Sequence, residues 1–430
     1  MSAYYADHAW LGGDRVEDRV LIEVDGDRIA AVRAGADRPA GATGLRGLTL
    51  PGLANAHSHA FHRALRGRTH RAGGSFWTWR EDMYAVAARL TPGTYHALAR
   101  ATYAEMALAG ITCVGEFHYL HDGGNEFGEA LMVAAAEAGI RITLLDACYV
   151  TGGFGERLEG VQRRFADADA DAWAARVSDL RQAPHARIGA AIHSVRAVPA
   201  EQLATVAGWA PLHFHLSEQR AENEACLAAY GRTPAQLLAD HGALGPRSCA
   251  VHATHLTDAD VALLGGSGTG LCMCPTTERD LADGIGPAGA LTSAGSPLCV
   301  GSDSHAVIDL LEEARAVEHG ERLASGRRGH WRAGELLHAA SAGGHAALGW
   351  PEAGRLVAGA PADLVTVGLD SVRLAGAEPA TLLESVVFAG AAADVRDVVV
   401  GGRQVVAGGR HALIDDVPGA LAGSIGAVLG

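Results

Sequence analysis

Four short blocks hold the side chains best suited to chemistry: HSH at 57–59, HFHLSE at 213–218, HATH at 252–255 and GSDSH at 301–305. Imidazole nitrogens and carboxylate oxygens gathered from several strand ends are what a divalent cation needs when one coordination position stays open. His57 and His59 stand two residues apart, and the two-residue period of a strand turns both rings to one side. His213 and His215 share that parity; one is a ligand and the other a hydrogen-bonded core histidine. His215 is favoured because it lies nearer the strand end. His252 ends another apolar run, with His255 just beyond it. Asp303 sits among Gly301, Ser302 and Ser304, whose small side chains let the chain approach a buried centre. Three neutral histidines and one carboxylate would leave a cation with water in its shell. Such a cation lowers the pKa of that water from 15.7 toward roughly 7, which gives a hydroxide nucleophile at neutral pH. Zinc is the first expectation for nitrogen and oxygen donors, and Fe2+ fits the same cage.

Each block follows an apolar run, so strands must position it. Eight such runs occur, near 48–56, 111–117, 142–149, 188–193, 212–216, 249–253, 270–274 and 298–302. Alanine- and leucine-rich helical segments such as 92–109 and 233–240 lie between many of them. Eight alternating units predict an α/β fold, a (β/α)8 TIM-like barrel over 51–355. A doubly wound sheet would want a glycine-rich phosphate turn after its first strand, and none is present. Both ends read as hairpins: Asp25-Gly26 separates two β-rich runs, and Gly401-Gly402 and Gly408-Gly409 punctuate valine-rich ones. Residues 1–50 and 356–430 are therefore expected to build one small, discontinuous β-sandwich domain.

Composition removes several function classes. The 430 residues contain no lysine; all 35 basic residues are arginine. Schiff-base chemistry, a pyridoxal-phosphate anchor, a Walker-type lysine and a carboxylated lysine bridging two metals are excluded. A net charge of −14, spread along the chain, argues against nucleic-acid partners. No apolar stretch reaches the roughly 18 residues of a membrane span. The opening MSAYYADHAW lacks the basic and apolar regions of a secretory signal, and seven scattered cysteines suit a reducing compartment, so a cytoplasmic location is expected.

The order HxH, His after the fifth strand, His after the sixth and Asp after the eighth resembles the amidohydrolase superfamily, in its one-metal deaminase form. NAHSHAFHRALRG, SFWTWREDMY, GEFHYLHD, AIHSVRAV, HFHLSEQ, VHATHLT, CPTTERDL and GSDSHAV are closer still to the formimidoylglutamate deiminase group. The resemblance implies His57, His59, His215 and Asp303 as metal ligands, with Asp303 also taking a proton from the incoming water. It implies His252 as the group orienting the nucleophile, and Glu218 as the proton shuttle. His62, Arg80, Tyr119, His193 and Arg196 would touch substrate; the group often carries glutamine where this chain has His62. The implied reaction is hydrolytic deimination of N-formimino-L-glutamate to N-formyl-L-glutamate and ammonia, in histidine degradation. Expected partners are that small anionic amidine and, in a homodimer, a second copy of the chain.

Two arginines suit a small dicarboxylate. A deaminase or chlorohydrolase acting on a nucleobase or triazine ring would share the metal residues but would want stacked aromatic walls, and aromatic content is 5 %. A non-catalytic barrel scaffold would need neither the ligand set nor Glu218. His118, His121, His305 and His319 read as ordinary loop or helix histidines.

Overall fold

A computed structural model describes residues 2–13, 15–70 and 74–430. Eight parallel strands follow one another around a nearly closed barrel: Leu53–Ser58, Ile111–His118, Arg141–Cys148, Ala186–Ile192, Leu212–Leu216, Ser248–His252, Gly270–Met273 and Leu298–Val300. Every residue of the first three is buried. That is the pattern of parallel strands covered on both faces, by helices outside and by the packed interior within. The seam between the first and last strands is short. It closes through a parallel bridge of Ser58 with Asp303, in which the Asp303 amide donates to the His57 carbonyl (3.0 Å) and the His59 amide to the Asp303 carbonyl (3.2 Å). The HxH block and the aspartate block thus hold the barrel shut with their own backbones.

The intervening helices begin on capping side chains. Thr91, Thr233 and Thr257 each accept from the amide three residues on, opening Pro92–Leu108, Pro234–Asp240 and Asp258–Ser267. A cap of this kind contributes about 1 kcal/mol. The buried residues of Pro92–Leu108 include Tyr95, Leu98, Tyr103 and Met106, packed in the main core.

Both chain ends meet in a second, mixed sheet of eight strands, hydrogen-bonded in the order 410–411, 403–407, 395–400, 364–367, 43–51, 2–10, 16–25 and 28–33. The turn before Arg28 is made by Gly26 and Asp27, since Asp25 already pairs with Arg28. The run at 48–56, expected as one barrel strand, is shared. Thr43–Pro51 belongs to the terminal sheet, and the barrel strand starts at Leu53. Gly52 makes this junction possible, because a Cβ there would lie 2.3 Å from Thr112 Oγ1 and 2.8 Å from Asp363 Cβ. The stretch 356–430 divides as well: helices Leu382–Ala389 and Val417–Leu429 pack on the barrel helices Leu310–Ser325 and Pro92–Leu108. No helix among the described residues is long and apolar enough to cross a membrane.

Candidate metal centre and its pocket

The strand ends deliver a compact set of donors. His57 Nε2 lies 3.1 Å from His215 Nε2, and Asp303 Oδ1 lies 3.3 Å from His57 Nε2 and 3.4 Å from His59 Nε2. Two of the rings have their tautomer fixed from behind. His59 Nδ1 donates to the Phe117 carbonyl and His215 Nδ1 to the His193 carbonyl, each at 2.8 Å, which leaves both Nε2 lone pairs facing the centre. Ligands 2.0–2.1 Å from a tetrahedral zinc stand roughly 3.3 Å from one another, which is the spacing seen here.

Electrostatics points the same way. Burial holds His57, His59 and His215 below the ordinary imidazole value, hence neutral. Burial would also protonate Asp303, but the hydrogen bond and charge of His57, with His252 and His59, outweigh it and keep the carboxyl well below its usual range. These demands conflict: the ionised Asp303 asks for positive charge at His57, while burial strips His57 of its proton. A divalent cation between them satisfies both, so the residues fit a metal ion.

His252 and Glu218 stand beside this set. His252 Nε2 is 3.8 Å from Glu218 Oε1 and 3.7 Å from Asp303 Oδ2. Burial lowers the pKa of His252, but the charges of Glu218 and Asp303 and the hydrogen bond to Glu278 raise it well above the ordinary value. Burial pushes Glu218 up to about 7, opposed by His252 and reinforced by Asp303. A carboxyl poised near neutrality can both take and give a proton. The backbone is strained at the same strand ends: Ser217, His252, Ala253 and Asp303 all have positive φ, at 49°, 66°, 50° and 44°. Non-glycine residues in this region cost on the order of 1–3 kcal/mol each and persist where the surroundings over-determine them.

A cavity opens over the donors. It is lined by His59, His62, Tyr119, His193, His215, Glu218, His252 and Asp303, and by Arg80 and Arg196. His57 lies behind, fully buried. His62 Nε2 and the Tyr119 hydroxyl are 2.9 Å apart. Burial depresses His62 and His193 to about 3, so both are neutral hydrogen-bonding groups. Arg80 stacks on Trp77 and Tyr84, with its guanidinium carbon 4.5 and 5.5 Å from the ring centres. Arg196 Nε reaches Glu222 Oε1 at 3.3 Å.

The remaining histidines divide. His213 donates from Nε2 to the Ala347 carbonyl (2.9 Å), a core histidine. His319 is exposed on its helix. His118, His121 and His305 are not ordinary loop residues. All three are buried, because each belongs to an internal polar network. His305 bridges Ser302 Oγ (2.9 Å) and Ser58 Oγ (3.1 Å) across the seam. His118 and His121 lie with Asp146 beside the second and third strands.

Sequence reasoning missed several residues. Tyr149 and Phe165 line the cavity along with Trp79, Met83 and Tyr84 from the helix Phe76–Ala87. Glu116 receives the Ser58 hydroxyl (2.8 Å) and the Ala60 amide (2.7 Å), bracing the segment that carries the HxH histidines. Glu222 and Glu278 hold Arg196 and His252. For Glu222 a signal existed: it follows Glu218 by one helical turn, which places it near the same strand end.

The amidohydrolase family profile matches residues 48–405. The formimidoylglutamate deiminase of Pseudomonas aeruginosa is 41 % identical over 96 % of this chain and 96 % of its own. A 5-methylthioadenosine/S-adenosylhomocysteine deaminase of Natronomonas pharaonis is 31 % identical over 90 % of this chain and 88 % of its own. Among solved structures, an amidohydrolase from Brucella melitensis superposes with a TM-score of 0.93 at 35 % identity, covering 100 % of both chains. The barrel, the donor set at its mouth and these matches have one reading: the chain belongs to the amidohydrolase family.

Proposed function

We propose that this protein is a formimidoylglutamate deiminase that uses one divalent cation, zinc first, to hydrolyse N-formimino-L-glutamate to N-formyl-L-glutamate and ammonia. The observation that carries the reading is the polarity of the cavity. Two guanidiniums, Arg80 and Arg196, share it with Glu218, so one pocket offers grips for carboxylates and a carboxylate for an amidinium. The 41 % identity to the Pseudomonas aeruginosa enzyme supports the same substrate.

His57, His59, His215 and Asp303 would hold the cation, which when bound supplies a Lewis acid and a water of lowered pKa. The chain's own groups do the rest. Arg196, anchored by Glu222, and Arg80, stacked on Trp77, bind the two carboxylates, with the Tyr119 hydroxyl as a neutral partner. Asp303 takes a proton as water adds to the formimino carbon. His252 faces the oxygen that this carbon gains. Glu218, its carboxyl raised by burial toward neutrality, hands a proton to the terminal nitrogen. That nitrogen leaves as ammonia when its bond to carbon breaks, and the carbon keeps the oxygen as a formyl group, the hydroxyl proton passing back to the Glu218 carboxylate.

Purified protein with N-formimino-L-glutamate should release ammonia and the formyl product, while adenosine-type nucleosides and free nucleobases stay unchanged. Faster turnover of a nucleoside or nucleobase would replace the substrate and leave the metal centre intact. Arg196→Met should mainly raise KM. N-formimino-L-aspartate, one carbon shorter, should turn over less efficiently if both arginines engage.

A further inference from the structure

Glu278 has no part in the reaction as described above, yet it touches the ring nearest the chemistry. It lies on the short helix Pro275–Asp280 after the seventh strand and is 4 % exposed. A single oxygen, Oε1, receives both the Cys274 amide at 2.9 Å and His252 Nδ1 at 3.3 Å. The opposite nitrogen, Nε2, looks toward Glu218 Oε1 and Asp303 Oδ2, at 3.8 and 3.7 Å.

A bound cation would offset the charge of Asp303 and so favour the neutral form of His252. That imidazole then has two tautomers open to it, with acceptors waiting on both sides. Which one forms decides whether Nε2 meets the reacting atoms as a lone pair or as a donor. The acceptor on the Nδ1 side is held by its second bond to the Cys274 backbone. The backbone of His252 is itself held in the left-handed region at φ 66°, a conformation that needs support from its surroundings. We propose that Glu278 is the positioning residue of this centre: it keeps the Nδ1 proton on His252 and aims Nε2 at the oxygen that the reacting carbon gains. The division of labour follows the rule that a buried carboxylate behind a functional histidine fixes its tautomer and orientation. The proposal takes only its assay substrate from the deiminase reading.

The test uses metal-loaded protein with ring-15N histidine, the His252 signals being assigned by their loss in His252→Asn. In the wild type, Nδ1 of His252 should show the shift of a protonated, pyrrole-type nitrogen. Glu278→Gln keeps a carbonyl oxygen where Oε1 stands and should keep both that shift and nearly all of kcat. Glu278→Met removes the acceptor. Nδ1 should then move to the unprotonated, pyridine-type position, and kcat for N-formimino-L-glutamate should fall roughly 10–100-fold. KM and bound metal should stay within about twofold, since no substrate contact or ligand is lost. A helix cap alone would lower thermal stability without moving the 15N shift. A pyridine-type Nδ1 in the wild type overturns the proposal even if Glu278→Met does not fold. A pyrrole-type Nδ1 or unchanged kcat in Glu278→Met overturns it as well. If the wild type ignores N-formimino-L-glutamate, the deiminase reading falls and the nitrogen shifts still decide the role of Glu278.

Discussion

Two buried clusters of imidazole and carboxylate lie side by side in this barrel, and only one has the character of a metal centre. His57, His59, His215 and Asp303 converge at the barrel mouth; His118, His121 and Asp146 gather beside the second and third strands. The second cluster brings its own positive charge. Arg176 grips Asp146 with two bonds of 3.0 and 2.9 Å and Asp167 with two of 2.8 Å, and the Trp173 ring N–H adds a third donor to Asp146 at 3.0 Å. A divalent cation beside that guanidinium would be repelled. Among the described residues Asp303 pairs with His57, His59 and His252 and with no guanidinium, and burial keeps His57, His59 and His215 neutral. Residue types therefore do not mark a metal site; a carboxylate that converges with imidazole lone pairs and has no guanidinium against it does.

The sharpest way to break the comparison is to neutralise each aspartate in turn. Asp303→Asn should lose most of the bound metal by elemental analysis and cut kcat/KM about 10³-fold or more, the scale of a lost proton-transfer group. Asp146→Asn should leave metal content and KM alone. Its effect belongs to stability: about 2 kcal/mol by urea midpoint, below the roughly 3–5 kcal/mol of a fully broken buried pair because Asp167 still holds Arg176. Loss of metal in Asp146→Asn would mean the two clusters are coupled, contrary to the distinction drawn between them.

Glycines beside the clusters give a smaller contrast. A Cβ on Gly301 would stand 2.7 Å from the His57 amide nitrogen and 2.8 Å from its carbonyl oxygen, backbone atoms that cannot yield without opening the seam. Gly301→Ala should displace His57 and lower both metal occupancy and kcat. Gly128, next to His118, meets the tip of Leu144 at 3.0 Å and the His118 ring at 3.5 Å. The leucine can turn aside, and alanine favours a helix over glycine by up to about 1 kcal/mol, so Gly128→Ala should be neutral or slightly stabilising. Differential scanning calorimetry of the two variants compares them directly.

The same contrast shows what was legible in the amino-acid sequence. The barrel and the β-rich ends were readable because alternation and turn residues are local signals. The common direction of His57 and His59 follows from strand parity, and the need for small residues around Asp303 from the close approach that Gly301 now makes concrete. The split of the 48–56 run was not readable, because a continuously buried segment carries no mark of which sheet covers it. The seam bridge of Ser58 with Asp303 joins distant parts of the chain, and no local pattern announces it. Glu278 sits in TTERD, which reads as an ordinary charged helix turn until the fold sets His252 against it. His118 resembled a loop histidine because Arg176, the residue that draws Asp146 into its network, lies far along the chain in the segment 151–186.

Acidification separates the clusters with the smallest expected effect. Burial disfavours the charged form of His118 and His121, lowering both below the ordinary imidazole value. The unfolded chain therefore gains protons there first, and stability should begin to fall as pH drops below about 6.5. Asp146 works in a lower window. Burial opposes its ionisation, but His121 and Arg176 prevail and bring the carboxyl from 3.8 down to about 2. A depressed carboxyl contributes stability that is complete above about pH 4 and lost as pH falls toward 2, on the order of 2 kcal/mol. Urea midpoints between pH 7 and pH 2.5 should show both phases in the wild type. Asp146→Asn should keep the histidine phase and flatten the carboxylate phase. An unchanged acid limb in that variant would place the ionic balance of this cluster on Asp167 instead.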